Sequence, residues 1–121
     1  MTALLDTSVL IGVHPPEVGQ LEAAVLSAVS VGELEAGVLS ATQAGERAAR
    51  LRRLGAILAE SPVLPVDRLV AARYGELRAR TGRLPSNDLW IAATALAHDL
   101  WLITADERQA KLPLVRTSLL A

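Results

Sequence analysis

Residues 85–106, PSNDLWIAATALAHDLWLITAD, decide how this chain folds. Pro85-Ser86-Asn87-Asp88 has the composition of a helix start, with proline and small polar residues ahead of an apolar run. Leu89 to His98 is the most apolar helix of the sequence, and Trp101 to Thr104 reads as a buried strand. A helix feeding a strand that is apolar on both faces is one unit of a parallel sheet covered by helices. The stretch carries two acids, Asp88 at the helix start and Asp106 just past the strand.

The same pattern recurs towards the N-terminus. Thr2 to Leu5 reads as a strand ending at Asp6, and Thr7 to Val13 as one or two helical turns that His14-Pro15-Pro16 stops. Glu17 to Ala24 is a short helix candidate, and the β-branched run Val25 to Val31 a second strand. From Gly32 to Ser40 the spacing turns helical, with Leu34, Val38 and Leu39 on one side. A longer helix runs from Gly45 to Glu60, with Leu51, Leu54 and Leu58 inward and Arg47, Arg50, Arg52 and Arg53 outward. Pro62 and Pro65 bracket a strand at Val63-Leu64.

Asp67 opens a helix to Thr81, with Leu69, Val70, Tyr74 and Leu77 inward, Arg73, Arg78 and Arg80 outward, and Gly82 as terminator. Ala105 to Lys111 is a helical turn and Leu114 to Ser118 an edge strand. Trp90 and Trp101 read as core. The expected architecture is α/β, a central parallel sheet between helices in three layers, as one domain over residues 1–121. No linker or repeat divides it.

Composition narrows the function. The chain of 121 residues is long enough for one sizeable core, and 51% apolar residues argue for a folded domain. It has no Cys, which excludes disulfides, thiol nucleophiles and Cys-ligated zinc and fits a reducing cytosol. No apolar stretch approaches the roughly 20 residues that span a bilayer, and the first apolar run is interrupted by Asp6. A soluble cytoplasmic protein without membrane contact is expected. Net charge is −1, so charge alone points to no nucleic-acid partner, but nearly all the basic residues are Arg and most fall between Arg47 and Arg83. Arg suits bidentate contact with phosphate or carboxylate, although a codon bias towards Arg gives the same count. Phosphate-binding loops, G-x-S-x-G and zinc spacings are absent, and His14 and His98 have no ligand-like neighbours.

Four acids remain: Asp6, Glu33, Asp88 and Asp106, each where an apolar run gives way to a helix start. Singly, each has a helix-capping explanation. Asp6 precedes Thr7-Ser8, Ser30-x-x-Glu33 is a capping box, Asp88 sits in a first turn, and Thr104-x-x-Glu107 brackets Asp106. Jointly they are harder to dismiss. Ligands of open parallel sheets gather beyond the carboxyl ends of the strands, at the point where strand order reverses. Four carboxylates at that rim repel one another unless a cation or proton holds them. Hard divalent cations such as Mg2+ and Mn2+ take oxygen ligands and suit phosphodiester hydrolysis.

The segments LLDTSVLIG, SVGELEAGV, NDLWIAATALAHDL and LITADE, in this order and spacing, resemble the PIN-domain ribonucleases and within them the VapC toxins of toxin–antitoxin pairs. The resemblance covers nearly the whole chain, although residues 41–83 match only in helical character. It implies a PIN-like α/β fold and metal-dependent RNA cleavage at a quartet of Asp6, Glu33, Asp88 and Asp106. Asp6 and Asp88 match the usual Mg2+ ligands, and Glu33 and Asp106 complete the pocket by binding metal or orienting water. Thr7, Ser8, Asn87 and Thr104 stand beside the acids as hydrogen-bonding supports. The resemblance further implies a homodimer and a VapB-type antitoxin that blocks the site. Arg47, Arg50, Arg53, Arg73 and Arg80 are then candidates for contact with RNA or antitoxin. Two departures stand out: Pro15-Pro16 splits the stretch between Asp6 and Glu33, and Glu107-Arg108-Gln109 stands where the family carries an aromatic residue.

Other classes compete. A PIN-like module without chemistry would bind RNA or a protein partner, and an intact quartet argues against it. A receiver-type phosphoacceptor needs a mid-chain Asp, and none lies between Asp6 and Asp67. A HAD-type phosphatase needs Asp where Ser8 stands.

Overall fold

The computed structural model describes residues 2–11 and 24–120. The chain runs β1 (Ala3–Leu5), α1 (Thr7–Leu10), β2 (Ala24–Ser27), α2 (Ala28–Ser40), α3 (Ala44–Glu60) and β3 (Val63–Leu64). It continues through α4 (Arg68–Arg80), α5 (Ser86–Ala97), β4 (Trp101–Thr104), α6 (Glu107–Ala110) and β5 (Thr117–Leu119). The five strands form one sheet in the order β3-β2-β1-β4-β5, and every neighbouring pair is parallel. β1 is central because it is apolar on both faces and fully buried. β5 is an edge strand, as the sequence predicts.

Strand alternation separates two cores. Leu4, Val25 and Leu102 point to one face and pack with Val70 and Leu77 of α4 and Leu89, Ile91, Ala92 and Ala95 of α5. Ala3, Leu5, Ala24, Leu26 and Ile103 point to the other, against Val9 and Leu10 of α1 and Ile57 of α3. Helices on both faces of a parallel sheet are the expected three layers.

Several sequence expectations need correction. β2 ends at Ser27, and Val29 and Val31 belong to α2. Ser27 stops the strand because its hydroxyl accepts from the Val29 N–H at 3.1 Å and caps the helix. Leu39, Leu51, Leu58 and Leu69 are exposed. Val38, Leu54 and Val70 are buried as expected, and Ile57, which the spacing did not single out, is buried beside Leu54. Both tryptophans are half-buried. Trp90 stacks on Tyr74 with centroids 3.9 Å apart, and the Arg116 guanidinium lies over Trp101. The last strand is shorter than expected, Thr117–Leu119. The stop at His14-Pro15-Pro16 and residues 17–23 of the helix candidate lie outside the described residues, and Ala24, its last residue, opens β2 instead.

Strand order fixes where a site can form. The connections from β1 through β3 build the sheet outward on one side, and β4 and β5 build it on the other. The reversal falls between β1 and β4, whose residues pair Leu5 with Ile103. Asp6 and Thr104 are therefore neighbours at the carboxyl rim, where ligands of such sheets bind.

Candidate active site

Asp6 is positioned by the sheet and the first helix together. Its backbone N–H donates to the Ile103 carbonyl at 2.8 Å, extending the β1–β4 ladder by one residue. Its side chain caps α1. Oδ2 accepts from the Ser8 N–H at 3.2 Å and from Ser8 Oγ at 2.5 Å, and Thr104 Oγ1 lies 3.1 Å away. The residue is 3% exposed, and its other oxygen, Oδ1, is buried without a partner. The capping expectation for Asp6 holds, yet it accounts for one oxygen only. A desolvated carboxylate oxygen without a donor is costly. Oδ1 has the chemistry that a hard cation requires.

Ser8 and Thr104 support this carboxylate. Ser8 Oγ accepts from the Ala105 N–H at 2.9 Å, and Thr104 Oγ1 accepts from the Asp106 N–H at 3.0 Å. The two hydroxyls thus fasten the turn after β4 to the start of α1.

Glu33 does not cap its helix. Ser30 is buried inside α2, so the capping box read from the sequence is not formed. Glu33 lies one turn further along, half-buried, where its Oε1 accepts from Thr7 Oγ1 at 2.7 Å. Thr7 Oγ1 is also 3.0 Å from Ser30 Oγ. The second strand's helix is thereby tied to α1 beside Asp6.

Asp88 lies in the first turn of α5, half-buried. Desolvation pushes its carboxyl above the usual carboxylate range. The charges of Asp6, Asp106 and Glu33 push in the same direction, and Arg108 opposes them. Four acids from four separate parts of the chain therefore share one electrostatic field. Asp106 caps α6, accepting from the Arg108 N–H at 2.8 Å. Desolvation raises its pKa, but hydrogen bonds from the Arg108 backbone and side chain, the Arg108 charge and the Gln109 N–H outweigh it. The net shift is downward. Among the described residues, no three Asp, Glu or His side chains are drawn together into a ready-made cage. The donor set fits an ion held by one or two carboxylates and its own waters, the usual habit of Mg2+.

Asn87 is exposed and, among the described residues, makes no hydrogen bond to any of the four acids. Sequence reasoning missed Gln109. This side chain is 1% exposed, donating through Nε2 to the Asp88 carbonyl at 3.1 Å and accepting at Oε1 from Thr104 Oγ1 at 3.1 Å. Its signal was the spacing of positions 106, 109 and 112, which share one side of a helical turn ending at the buried Leu112.

The arginines divide. Arg50 and Arg53 line a cavity of about 580 Å³ with Thr7, Glu33, Leu34, Leu54 and Ile57, so of the four acids it reaches Glu33 and not Asp6, Asp88 or Asp106. Arg53 donates to the Leu10 carbonyl, and Arg50 to the Gly37 carbonyl and Glu46. Arg47 is turned to the Ala41 carbonyl and Arg73 to Glu76. Arg80 is exposed in the last turn of α4. Neither Arg47, Arg73 nor Arg80 lines the cavity.

A parallel sheet of this order with acids at its switch point defines a class before any relative is considered. The PIN-domain family model matches residues 3–114. Ribonuclease VapC4 of Mycobacterium tuberculosis is 38% identical over 120 residues, covering 92% of this chain and 91% of that protein. The crystal structure of VapBC-5, a member of the VapBC family of toxin–antitoxin systems from Mycobacterium tuberculosis, superposes with a TM-score of 0.85 at 32% identity and covers 98% of each chain. FitAcB from Neisseria gonorrhoeae superposes with a TM-score of 0.81 at 30% identity, over 97% of this chain and 96% of its own. The chain belongs to the PIN-domain family, in its VapC branch.

Proposed function

We propose that this protein is a metal-dependent endoribonuclease, the toxin of a VapBC-type pair, with Asp6, Glu33, Asp88 and Asp106 as its reactive centre. The observation that carries the reading is Asp6: a buried carboxylate at the switch point with Oδ2 held by Ser8 and Thr104 and Oδ1 unpaired. Kinship with a protein named Ribonuclease VapC4 supports RNA as the substrate class.

Asp6 and Asp88 are the residues that would hold Mg2+ or Mn2+, with Glu33 and Asp106 ligating or orienting water around it. When bound, such an ion neutralises charge on a phosphodiester and acidifies the attacking water. The chain's own part is preorganisation. Ser8 and Thr104 fix Asp6 so that one oxygen faces the site, and Thr7 fixes Glu33. Hydrogen bonds and charge from Arg108 lower the pKa of Asp106. Burial and the charges of Asp6, Asp106 and Glu33 disfavour the Asp88 carboxylate, and a bound cation would relieve that cost.

Regulation follows from the cavity. Its apolar wall of Leu34, Leu54 and Ile57 and its two arginines, beside exposed Ile11 and Leu39, suit an amphipathic segment of a VapB-type antitoxin that ends over Glu33. The neighbouring crystal structures are of toxin–antitoxin complexes, which supports that partner. A homodimer is part of the same reading, and exposed Val63, Val66 and Leu69 give it apolar surface. No described helix is long and apolar enough to cross a membrane; a cytoplasmic site of action fits both RNA and antitoxin. The test is incubation of the purified protein with a bulk RNA pool, with Mg2+ or Mn2+ and with chelator. Cleavage that chelator stops is expected. RNA binding without cleavage would instead support a module that has lost its chemistry.

A further inference from the structure

Gln109 joins two parts of the rim, the first turn of α5 that carries Asp88 and the end of β4 beside Asp6. Nε2 donates to the Asp88 carbonyl, and Oε1 lies 3.1 Å from Thr104 Oγ1, whose single proton is shared between this oxygen and Asp6 Oδ2 while the hydroxyl oxygen accepts from the Asp106 N–H. The orientation of the amide is set by chemistry, because a carbonyl can only accept and a hydroxyl can donate. Burying a primary amide costs more than burying an apolar side chain of equal size, and its hydrogen bonds return a modest net gain. The position at 1% exposure therefore uses an amide for something other than filling space.

We infer that Gln109 is a positioning residue that sets the separation of Asp88 from Asp6 and Asp106, and with it the affinity of the quartet for a divalent cation. The inference rests on the metal reading given under Proposed function. It concerns a residue outside the four acids and outside the hydroxyls that flank them in sequence.

The test compares wild type with Gln109→Met, Gln109→Glu and Asp88→Asn by calorimetric titration with Mn2+, and by amide hydrogen exchange of the chelator-treated protein. Gln109→Met keeps volume and loses both hydrogen bonds. Its Mn2+ affinity is expected to fall about 10- to 100-fold, and its kcat on RNA to fall while KM stays near wild type. Without metal, the amides of the first turns of α5 should exchange faster while those of β1 and β4 do not. A residue that merely fills the core would lower the melting temperature and leave the Mn2+ affinity of the folded protein unchanged; that result overturns the inference. Gln109→Glu keeps the oxygen facing Thr104 and loses the donor to Asp88. Faster exchange in α5 is expected here too, and wild-type exchange overturns the inference even if Gln109→Met does not fold. The two readings fail separately. A wild type that binds no Mn2+ overturns the metal reading. A wild type that binds it, with Asp88→Asn that does not and Gln109→Met that binds as wild type, overturns the role of Gln109 alone.

Discussion

Thr104 Oγ1 lies 3.1 Å from Asp6 Oδ2, joining residues 98 positions apart across the centre of the sheet. The contact exists because β1 pairs with β4 in the register Leu5 to Ile103, which sets the residues after each strand side by side. It holds the acid that anchors the proposed site, so its removal has a defined consequence. Thr104→Val should retain the fold, since valine fills nearly the same volume in the strand. It should lower RNA cleavage about 10- to 100-fold, the usual loss when a support of a metal ligand is removed. Thr104→Ser should recover most of that loss. Initial rates for the two variants, with melting curves as the control for folding, check the contrast.

Asp88 should trade stability for activity. Burial and three neighbouring carboxylates disfavour its charge. Asp88→Asn removes the repelled charge, so the metal-free protein should melt a few degrees higher than wild type while cleavage is abolished. Thermal melts in chelator measure the first effect and RNA cleavage the second. A lower melting point in chelator would contradict the repulsion.

The same group sets a pH dependence with a definite sign. Because the folded-state pKa of Asp88 is raised, the native state binds its proton more tightly than the unfolded chain does. The destabilisation is fully present above the raised pKa and is relieved as pH falls through it towards the ordinary carboxylate range. Asp106 behaves oppositely: its depressed pKa contributes stability above the unfolded value that is lost as pH falls through the folded one. Cation affinity should follow Asp88 and weaken as pH drops through its raised pKa. Asp88→Asn should abolish that acid-side stabilisation in chelator, which a series of melts across pH would show.

Thr7 tests the standing of Glu33. The hydroxyl donates to Glu33 Oε1 at 2.7 Å from a different helix. Thr7→Val should reduce cleavage less than Thr104→Val does, because Glu33 is half-buried and keeps access to water. An unchanged rate in both Thr7→Val and Glu33→Gln would remove Glu33 from the site.

The sheet, most of its helices and the place of Asp6 at the carboxyl rim could be read from the sequence, because strands apolar on both faces alternate with amphipathic helices. What could not be read has physical causes. Val29 and Val31 resemble strand residues, yet they lie in a helix whose flanks are packed. A short apolar run does not distinguish a buried strand from a buried helical turn. Leu51 and Leu58 share a helix with Ile57, so its apolar residues fall on more than one side and spacing alone picks the wrong stripe. Glu33 carried a capping-box pattern that the earlier start of α2 cancels. Spacing with positions 106 and 112 could place Gln109 on an inward side, but its role depends on partners that the fold supplies, the Asp88 carbonyl and the Thr104 hydroxyl.

The central claim is that Asp6 leads a cation-dependent nuclease centre. The most direct measurement is cleavage of a bulk RNA pool by purified wild type and Asp6→Asn, each in Mn2+ and in chelator, with both variants shown to be folded. Wild type is expected to cleave in Mn2+ alone, and Asp6→Asn in neither condition. Equal cleavage by Asp6→Asn, or wild-type cleavage that persists in chelator, would contradict it.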